Sequence, residues 1–353
     1  MKINLVILEP NQNYINRLLS VFTARYADKF TLYSFTNQEA AMEILQKTKI
    51  DVFIADEAFE IDMERVPKRC GFAYFTNSSG VDSLYDQRAI CKYQKAELIY
   101  KQILSLYSEN AGHISGLKFH DDSSKVLVFS SPCGGTGTST VAAACAKYFA
   151  KRGKKTLYLN FERFGSSEIV FSGEGQFGLY EIIYALKGKR ANLSLKLESC
   201  VKQDTSGVYF FASAPKALDM MELGCEEMIR LISELKLLGT YEYIVVDMDF
   251  GLDKDTLKFY EQASLLVMVS DGSLTANNKL RRAYQAIAIK EETGEISLLG
   301  KLALLYNKFS SKTSVKVDDL DIRNIGGIPP YVNGTTDRIV EELSSQHLFE
   351  KMQ

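Results

Sequence analysis

Residues 125–151 read KVLVFSSPCGGTGTSTVAAACAKYFAK. The apolar run Val126–Phe129 predicts a buried strand. It breaks into a turn carrying Gly134, Gly135 and Gly137, and apolar residues then recur at helical spacing from about Thr140 to Lys151. Strand, glycine turn and helix are the layout of a phosphate-binding loop. Glycines let successive backbone N–H groups turn inward on an anion, and the helix start adds partial positive charge. The pattern for such a loop is G-x-x-x-x-G-K-[ST]. Here Pro132 stands first, Cys133-Gly134-Gly135-Thr136 follow, then Gly137, and Thr138 occupies the lysine position before Ser139. The loop is present without its lysine.

Composition narrows the alternatives. At 353 residues, two or three domains are expected. With 46% hydrophobic and 24% charged residues and a net charge of −2, the chain reads as an ordinary globular protein with no electrostatic footprint for nucleic acid. The six cysteines, at 70, 91, 133, 145, 200 and 225, form no C-x-x-C pair, so a reduced cytoplasmic setting is expected. MKINLVILEP is too soon interrupted for a signal peptide, and no run of about 20 apolar residues offers a membrane span.

Downstream of the loop, Thr156–Leu159 reads as a strand leading into Asn160-Phe161-Glu162. Residues 178–186 and 225–238 read as amphipathic helices, with a strand at Val208–Ala212 between them. The run YEYIVVDMDFG, residues 241–251, ends an apolar strand in Asp247. That is the Walker B form, which brings a carboxylate to the metal side of bound phosphates. Further buried strands are expected at Ser264–Val269 and at Leu302–Tyr306, the latter followed by Asn307-Lys308, and a helix at Thr336–Leu343. The tail from Thr335 to Gln353 is rich in acids and has no basic face, so membrane docking is not expected.

CGGTGTST resembles the deviant Walker A loop of the MinD/ParA family, usually KGGxGKTT, with both lysines replaced, by Cys133 and by Thr138. The resemblance implies a doubly wound parallel sheet that binds ATP through Cys133, Gly134, Gly135, Thr136, Gly137, Thr138, Ser139 and Thr140. It implies Mg²⁺ on Ser139 and Asp247, and adenine beside Asn307 and the segment containing Pro329. Glu162 stands where the family carries a catalytic aspartate, its carboxylate displaced by a methylene of about 1.5 Å. Without the loop lysine, ATP binding is expected to survive in weakened form and hydrolysis to be slow or lost. Without the Cys133-position lysine, the dimer that the family forms must rest on other surfaces.

The first 110 residues alternate strand and helix signals at Ile3–Leu8, Tyr14–Tyr26, Thr31–Ser34, Gln38–Gln46, Val52–Ala55, Phe72–Phe75 and Ala96–Leu106. A five-stranded, flavodoxin-like sheet is predicted. Asp56 at a strand end, Thr76 after the next strand and Lys92 resemble the site of a response-regulator receiver, which makes Asp56 a possible phosphoacceptor. Of the acidic pair a receiver uses for Mg²⁺, only Glu9 is present, followed by Pro10. Losing a carboxylate weakens a site for a hard cation, so the receiver fold is expected to serve as an interaction surface. Residues 111–124 read as a linker with a short strand at Ile114–Phe119, and His113 and His120 as solvated linker residues.

The organisation expected is thus a receiver-like domain over 1–110, a linker over 111–124 and a nucleotide domain over 125–353. A receiver-like front on a MinD-like back resembles the TadZ/CpaE branch, implicated in placing tight-adherence or type IV-like pilus machinery at a cell pole. What that implies is a cytoplasmic, pole-recruited, dimeric scaffold that partners pilus or secretion assembly proteins. Two other readings stay open at this point. One is an active ParA-type ATPase with Arg163 or Lys308 as substitute cation; the other is a response regulator phosphorylated at Asp56.

Overall fold

The computed structural model describes residues 2–110, 124–188, 192–331 and 334–353. Most of the expected linker, with the strand at Ile114–Phe119, His113 and His120, lies outside the described residues. The chain divides into two compact units, Met1–Gly116 with Tyr184–Cys200, and Leu117–Ile183 with Val201–Gln353.

In the first unit, β1 (Ile3–Leu8), α1 (Gln12–Tyr26), β2 (Phe30–Phe35), α2 (Gln38–Lys47), β3 (Val52–Asp56), β4 (Gly71–Thr76), β5 (Ser83–Leu84), β6 (Gln87–Cys91) and α3 (Ala96–Asn110) follow in order. The sheet runs β2-β1-β3-β4-β6-β5. Its first five strands are parallel in the flavodoxin-like order, and β5 folds back antiparallel on β6. The expectation of five strands thus falls one short. The extra strand comes from a tight hairpin in which Tyr85 and Asp86 both take positive φ, 50° and 58°. Between β3 and β4 the only helix is a short turn at Met63–Arg65. The Asn11 and Asn37 side chains cap α1 and α2 by accepting the free first-turn N–H groups. The helix Leu193–Cys200 completes this unit: the Lys196 ammonium donates to Ser105 Oγ and Glu109 Oε1 on α3, and Glu198 accepts from Lys29 and the Tyr100 hydroxyl.

The second unit contains β7 (Lys125–Ser130), α4 (Thr138–Lys151), β8 (Thr156–Asn160), the start of α5 (Leu179–Gly188), then, after α6 (Leu193–Cys200, placed above), β9 (Val201–Gln203), β10 (Tyr209–Phe211), α7 (Ala217–Met221), α8 (Cys225–Leu238) and β11 (Tyr243–Asp247). Next come α9 (Lys254–Tyr260), β12 (Leu265–Ser270), α10 (Leu274–Glu292), β13 (Leu302–Tyr306), β14 (Arg323–Gly327) and α11 (Thr336–Leu343). The sheet order is β14-β13-β12-β7-β11-β8-β10-β9, parallel except for β9 against β10. β7 sits between β12 and β11, where the winding reverses. In such sheets the crevice at the carboxyl ends beside that reversal is where ligands bind.

Register decides what meets there. Asp247 at the end of β11 lies opposite Phe129 of β7 on one side and Asn160 of β8 on the other. The three strands therefore end level and present the glycine loop, Asp247 and the Asn160–Glu162 segment at one edge. β8 and β11 are buried along their whole length, which accounts for their near-continuous apolar sequence. α4 is buried from Val141 through Phe149, and its run of alanines lets the backbone lie close to the sheet. The helix begins at Thr138, two residues before the sequence reading placed it.

Candidate functional site

Gly135 and Gly137 both take left-handed φ, 81° and 80°, a conformation that costs an L-residue about 1–2 kcal/mol. Gly137 is also the N-cap of α4 and offers no side chain to the free N–H groups of the first turn. A Cβ on Gly137 would stand 2.4 Å from Asn307 Nδ2. Gly134 and Gly135 are exposed and their Cβ positions open. Thr138, in the lysine position, turns its hydroxyl to Thr136 Oγ1, 3.2 Å away. Cys133 is half-buried, and its N–H and carbonyl are both tied to the Ser131 hydroxyl. Thr140 is half-buried in the first turn of α4.

On the strand-end side, Ser139 Oγ donates to Glu162 Oε2 at 3.1 Å. Asn160 Oδ1 accepts the Glu162 N–H and so fixes the turn that aims this carboxylate at the helix start. Asp247 is fully buried; Oδ2 accepts from the Tyr158 hydroxyl at 3.0 Å, while Oδ1 has no hydrogen-bond partner among the described residues. Burial, and then the Glu162 charge, push the Asp247 carboxyl well above its usual range, against the hydroxyls of Ser139 and Tyr158. Burial and the Asp247 charge likewise raise the Tyr158 phenol. A buried acid with one orphaned oxygen beside a serine hydroxyl fits a divalent cation, which would relieve both penalties. Among the described residues no group of three or more His, Cys, Asp or Glu is placed to hold a metal. A cation on Ser139 and Asp247 would therefore complete its shell with phosphate oxygens and water. The small recess among Leu159, Phe161, Leu179, Phe211 and Met220 touches this constellation only through Asn160 and contains no charged side chain.

On the opposite side of the loop, Asn307 is fully buried. Its Nδ2 donates to the Thr136 carbonyl at 2.7 Å and lies 3.3 Å from the Tyr331 hydroxyl, while its Oδ1 has no hydrogen-bond partner among the described residues. Lys308 is exposed, takes φ 55°, and donates to the Gly135 carbonyl at 3.1 Å. Pro329 is exposed, in the segment held to β13 by the Phe309–Ile328 and Ile328–Tyr306 backbone bonds. Arg163 is exposed, and its N–H donates to Asp249.

Within the second unit, the loop residues, Asn160, Glu162, Asp247 and Asn307 thus gather at one edge of the sheet. The reading missed Tyr158 and Tyr331. Tyr158 had a signal: it shares a strand face with Asn160, two residues on, in an otherwise aliphatic strand. Tyr331 had none beyond its place after two prolines.

The receiver-like site is assembled differently. Lys92 Nζ bridges Asp56 Oδ2 at 2.6 Å and Glu9 Oε2 at 3.1 Å, and all three side chains are at most 7% exposed. The remaining carboxylate oxygens accept the Ala58 and Asn11 N–H groups. Burial raises the Glu9 carboxyl. Burial also works against the Lys92 ammonium, but its hydrogen bonds to Asp56 and Glu9 outweigh it and raise Lys92. Thr76 Oγ1 donates to the Ser78 carbonyl, and the Tyr14 ring lies 5.7 Å from the ammonium.

Residues 1–108 match the family described as TadZ-like, receiver domain. The septum site-determining protein MinD of Neisseria meningitidis serogroup B is 24% identical over 203 residues, which is 57% of this chain and 73% of that protein. MinD of Escherichia coli K12 is 23% identical over 215 residues, 58% of this chain and 78% of that protein. Among solved structures, a ParA family ATPase from Chlorobium tepidum superposes with a TM-score of 0.50 at 18% identity, covering 65% of this chain and 96% of that one. The chain combines a TadZ-like receiver domain with a ParA/MinD-like P-loop fold. Among the described residues no helix is long and apolar enough to cross a membrane.

Proposed function

We propose that the chain binds ATP with Mg²⁺ at the α4 loop, hydrolyses it weakly or not at all, and acts as a dimeric localisation scaffold for a Tad or type IV-like pilus assembly machine. The observation that carries the nucleotide reading is the fully buried Asp247, whose Oδ1 has no partner, beside Ser139 and Glu162 at an uncapped helix start. Cys133 to Thr140 would cradle phosphates through backbone N–H groups, and Ser139 with Asp247 would hold the cation. Asn307 and the Pro329 segment would border the base. Bound Mg²⁺ supplies charge neutralisation on the phosphates.

Weak hydrolysis is argued from Thr138, whose hydroxyl carries no charge and is already paired with Thr136. Losing one transition-state donor typically costs about 3 kcal/mol, or some hundredfold in rate. The Glu162 displacement adds to that. The scaffold role and polar recruitment are supported by the TadZ-like match over residues 1–108. The Lys92 bridge, which occupies Asp56, argues against phosphoryl transfer to that residue.

Calorimetric titration of ATP–Mg²⁺ into the full chain, paired with a phosphate-release assay, tests the proposal. Binding without release is expected. Release at rates typical of ParA-type turnover would establish the ATPase reading, for which Lys308 at the loop is the favouring observation. Absence of binding would remove the proposal.

A further inference from the structure

The end of β13 offers two successive side chains to two successive loop carbonyls. Lys308 Nζ donates to the Gly135 carbonyl at 3.1 Å, and Asn307 Nδ2 to the Thr136 carbonyl at 2.7 Å. In a trans peptide the carbonyl and the following N–H point in opposite directions from one plane. Drawing the Gly135 and Thr136 carbonyls toward β13 therefore turns the Thr136 and Gly137 N–H groups the other way, away from β13. Three further features fit a clamp built for this purpose. Lys308 accepts a left-handed backbone that a lysine ordinarily avoids. Gly137 has no room for a Cβ because Asn307 Nδ2 occupies it. The Tyr331 ring lies 6.0 Å from the ammonium, and its hydroxyl lies 3.3 Å from Asn307 Nδ2.

We propose that Lys308, together with Asn307, is a positioning clamp that aims the loop amides at the phosphates of an adenine nucleotide and supplies from the rim the positive charge that Thr138 lacks. The inference rests on the nucleotide-binding reading above. Lys308 acts through the loop: its charge polarises the Gly135–Thr136 peptide and strengthens that N–H as a donor to an anion. A lysine at position 138 would reach phosphate directly; Lys308 substitutes for it by organising the backbone nest.

The test is calorimetric titration of ADP and, separately, adenosine into the full chain and its Lys308→Met and Lys308→Arg variants. Lys308→Met keeps the aliphatic stem and removes the charge. It is expected to weaken ADP binding about tenfold, the loss of one charge-assisted contact, and to leave adenosine affinity within about twofold. Lys308→Arg is expected to recover most of the ADP affinity. In the ligand-free chain, the amide resonances of Thr136 and Gly137 are expected to shift in Lys308→Met and return in Lys308→Arg. Unchanged ADP affinity in Lys308→Met would overturn the clamp, as would an equal loss for ADP and adenosine, which would make Lys308 a contact to base or ribose. Failure of the unaltered chain to bind ADP would instead overturn the nucleotide reading itself.

Discussion

Two sites that resemble charged, metal-dependent centres each lack residues of the pattern they resemble, and what they do contain is arranged in opposite ways. In the first unit the surviving charges have turned on one another: Lys92 bridges Asp56 and Glu9, and the carboxylate oxygens left over accept backbone N–H groups. In the second, the surviving groups stay open: Asp247 Oδ1 and Asn307 Oδ1 are buried without partners, and the helix start is uncapped. A buried polar group without a partner costs about 1–3 kcal/mol, and two of them at one loop are what the proposed nucleotide binding would relieve. The first site is satisfied from within, whereas the second keeps acceptors that only the proposed ligand would satisfy.

The largest effect should come from breaking the closed site. Lys92→Met leaves two buried carboxylates unpaired and is expected to destabilise the first unit by about 3–5 kcal/mol, measured by denaturant unfolding followed in that unit. Combining it with Glu9→Gln and Asp56→Asn should restore most of the loss; if the single and triple variants were equally unstable, the bridge would not be the compensating feature. Next in size, Thr138→Lys is expected to tighten ATP binding tenfold or more by calorimetry, since a cation in direct contact with phosphate contributes about 1.5–3 kcal/mol. No gain would mean the loop does not face phosphate.

Two acids within the second unit sharpen the contrast further. Asp247→Asn replaces the strained buried acid with a neutral amide, and the ligand-free protein is expected to melt about 2–4 °C higher while losing Mg²⁺-dependent nucleotide affinity. Asp204 is also buried, yet it is saturated: it accepts the Ser172 and Ser206 N–H groups and the Ser206 hydroxyl. Burial pushes its carboxyl up, but those hydrogen bonds prevail and hold it below the ordinary 3.8. Its contribution is therefore present above that value and is lost as pH falls through the lowered one. Asp204→Asn should cost about 1–2 kcal/mol near neutrality, with the difference from the unaltered chain shrinking below about pH 4 in thermal melts. A destabilising Asp247→Asn or a stabilising Asp204→Asn would break the distinction between open and satisfied acids.

Much of this was legible in the chain. The loop, the Asp247 strand and the Asn307 strand announced themselves because fully buried parallel strands must be apolar and glycines must supply left-handed turns. β5 escaped notice and the fifth parallel strand, β6, was expected but not located, because only Ala89 and Ile90 of that hairpin are buried, which leaves too short an apolar run to read. That Glu9, Asp56 and Lys92 share one site was legible through the receiver resemblance, but their direct pairing was not. Glu9, Asp56 and Lys92 lie on three different strand ends, and only the β1-β3-β4-β6 order brings them within hydrogen-bond reach. Lys308 was visible as a candidate cation, but its aim at Gly135 follows from its left-handed backbone, which sequence does not specify for a lysine.

The most direct measurement is amide hydrogen exchange across the full chain, alone, with ATP–Mg²⁺, and with acetyl phosphate–Mg²⁺. Slower exchange is expected over residues 134–141 with ATP–Mg²⁺, and unchanged exchange around Asn11, Ala58 and Lys92 with acetyl phosphate. Protection of the Asp56 surroundings by acetyl phosphate, with the loop indifferent to ATP, would contradict the account by reversing which site is open and which is closed.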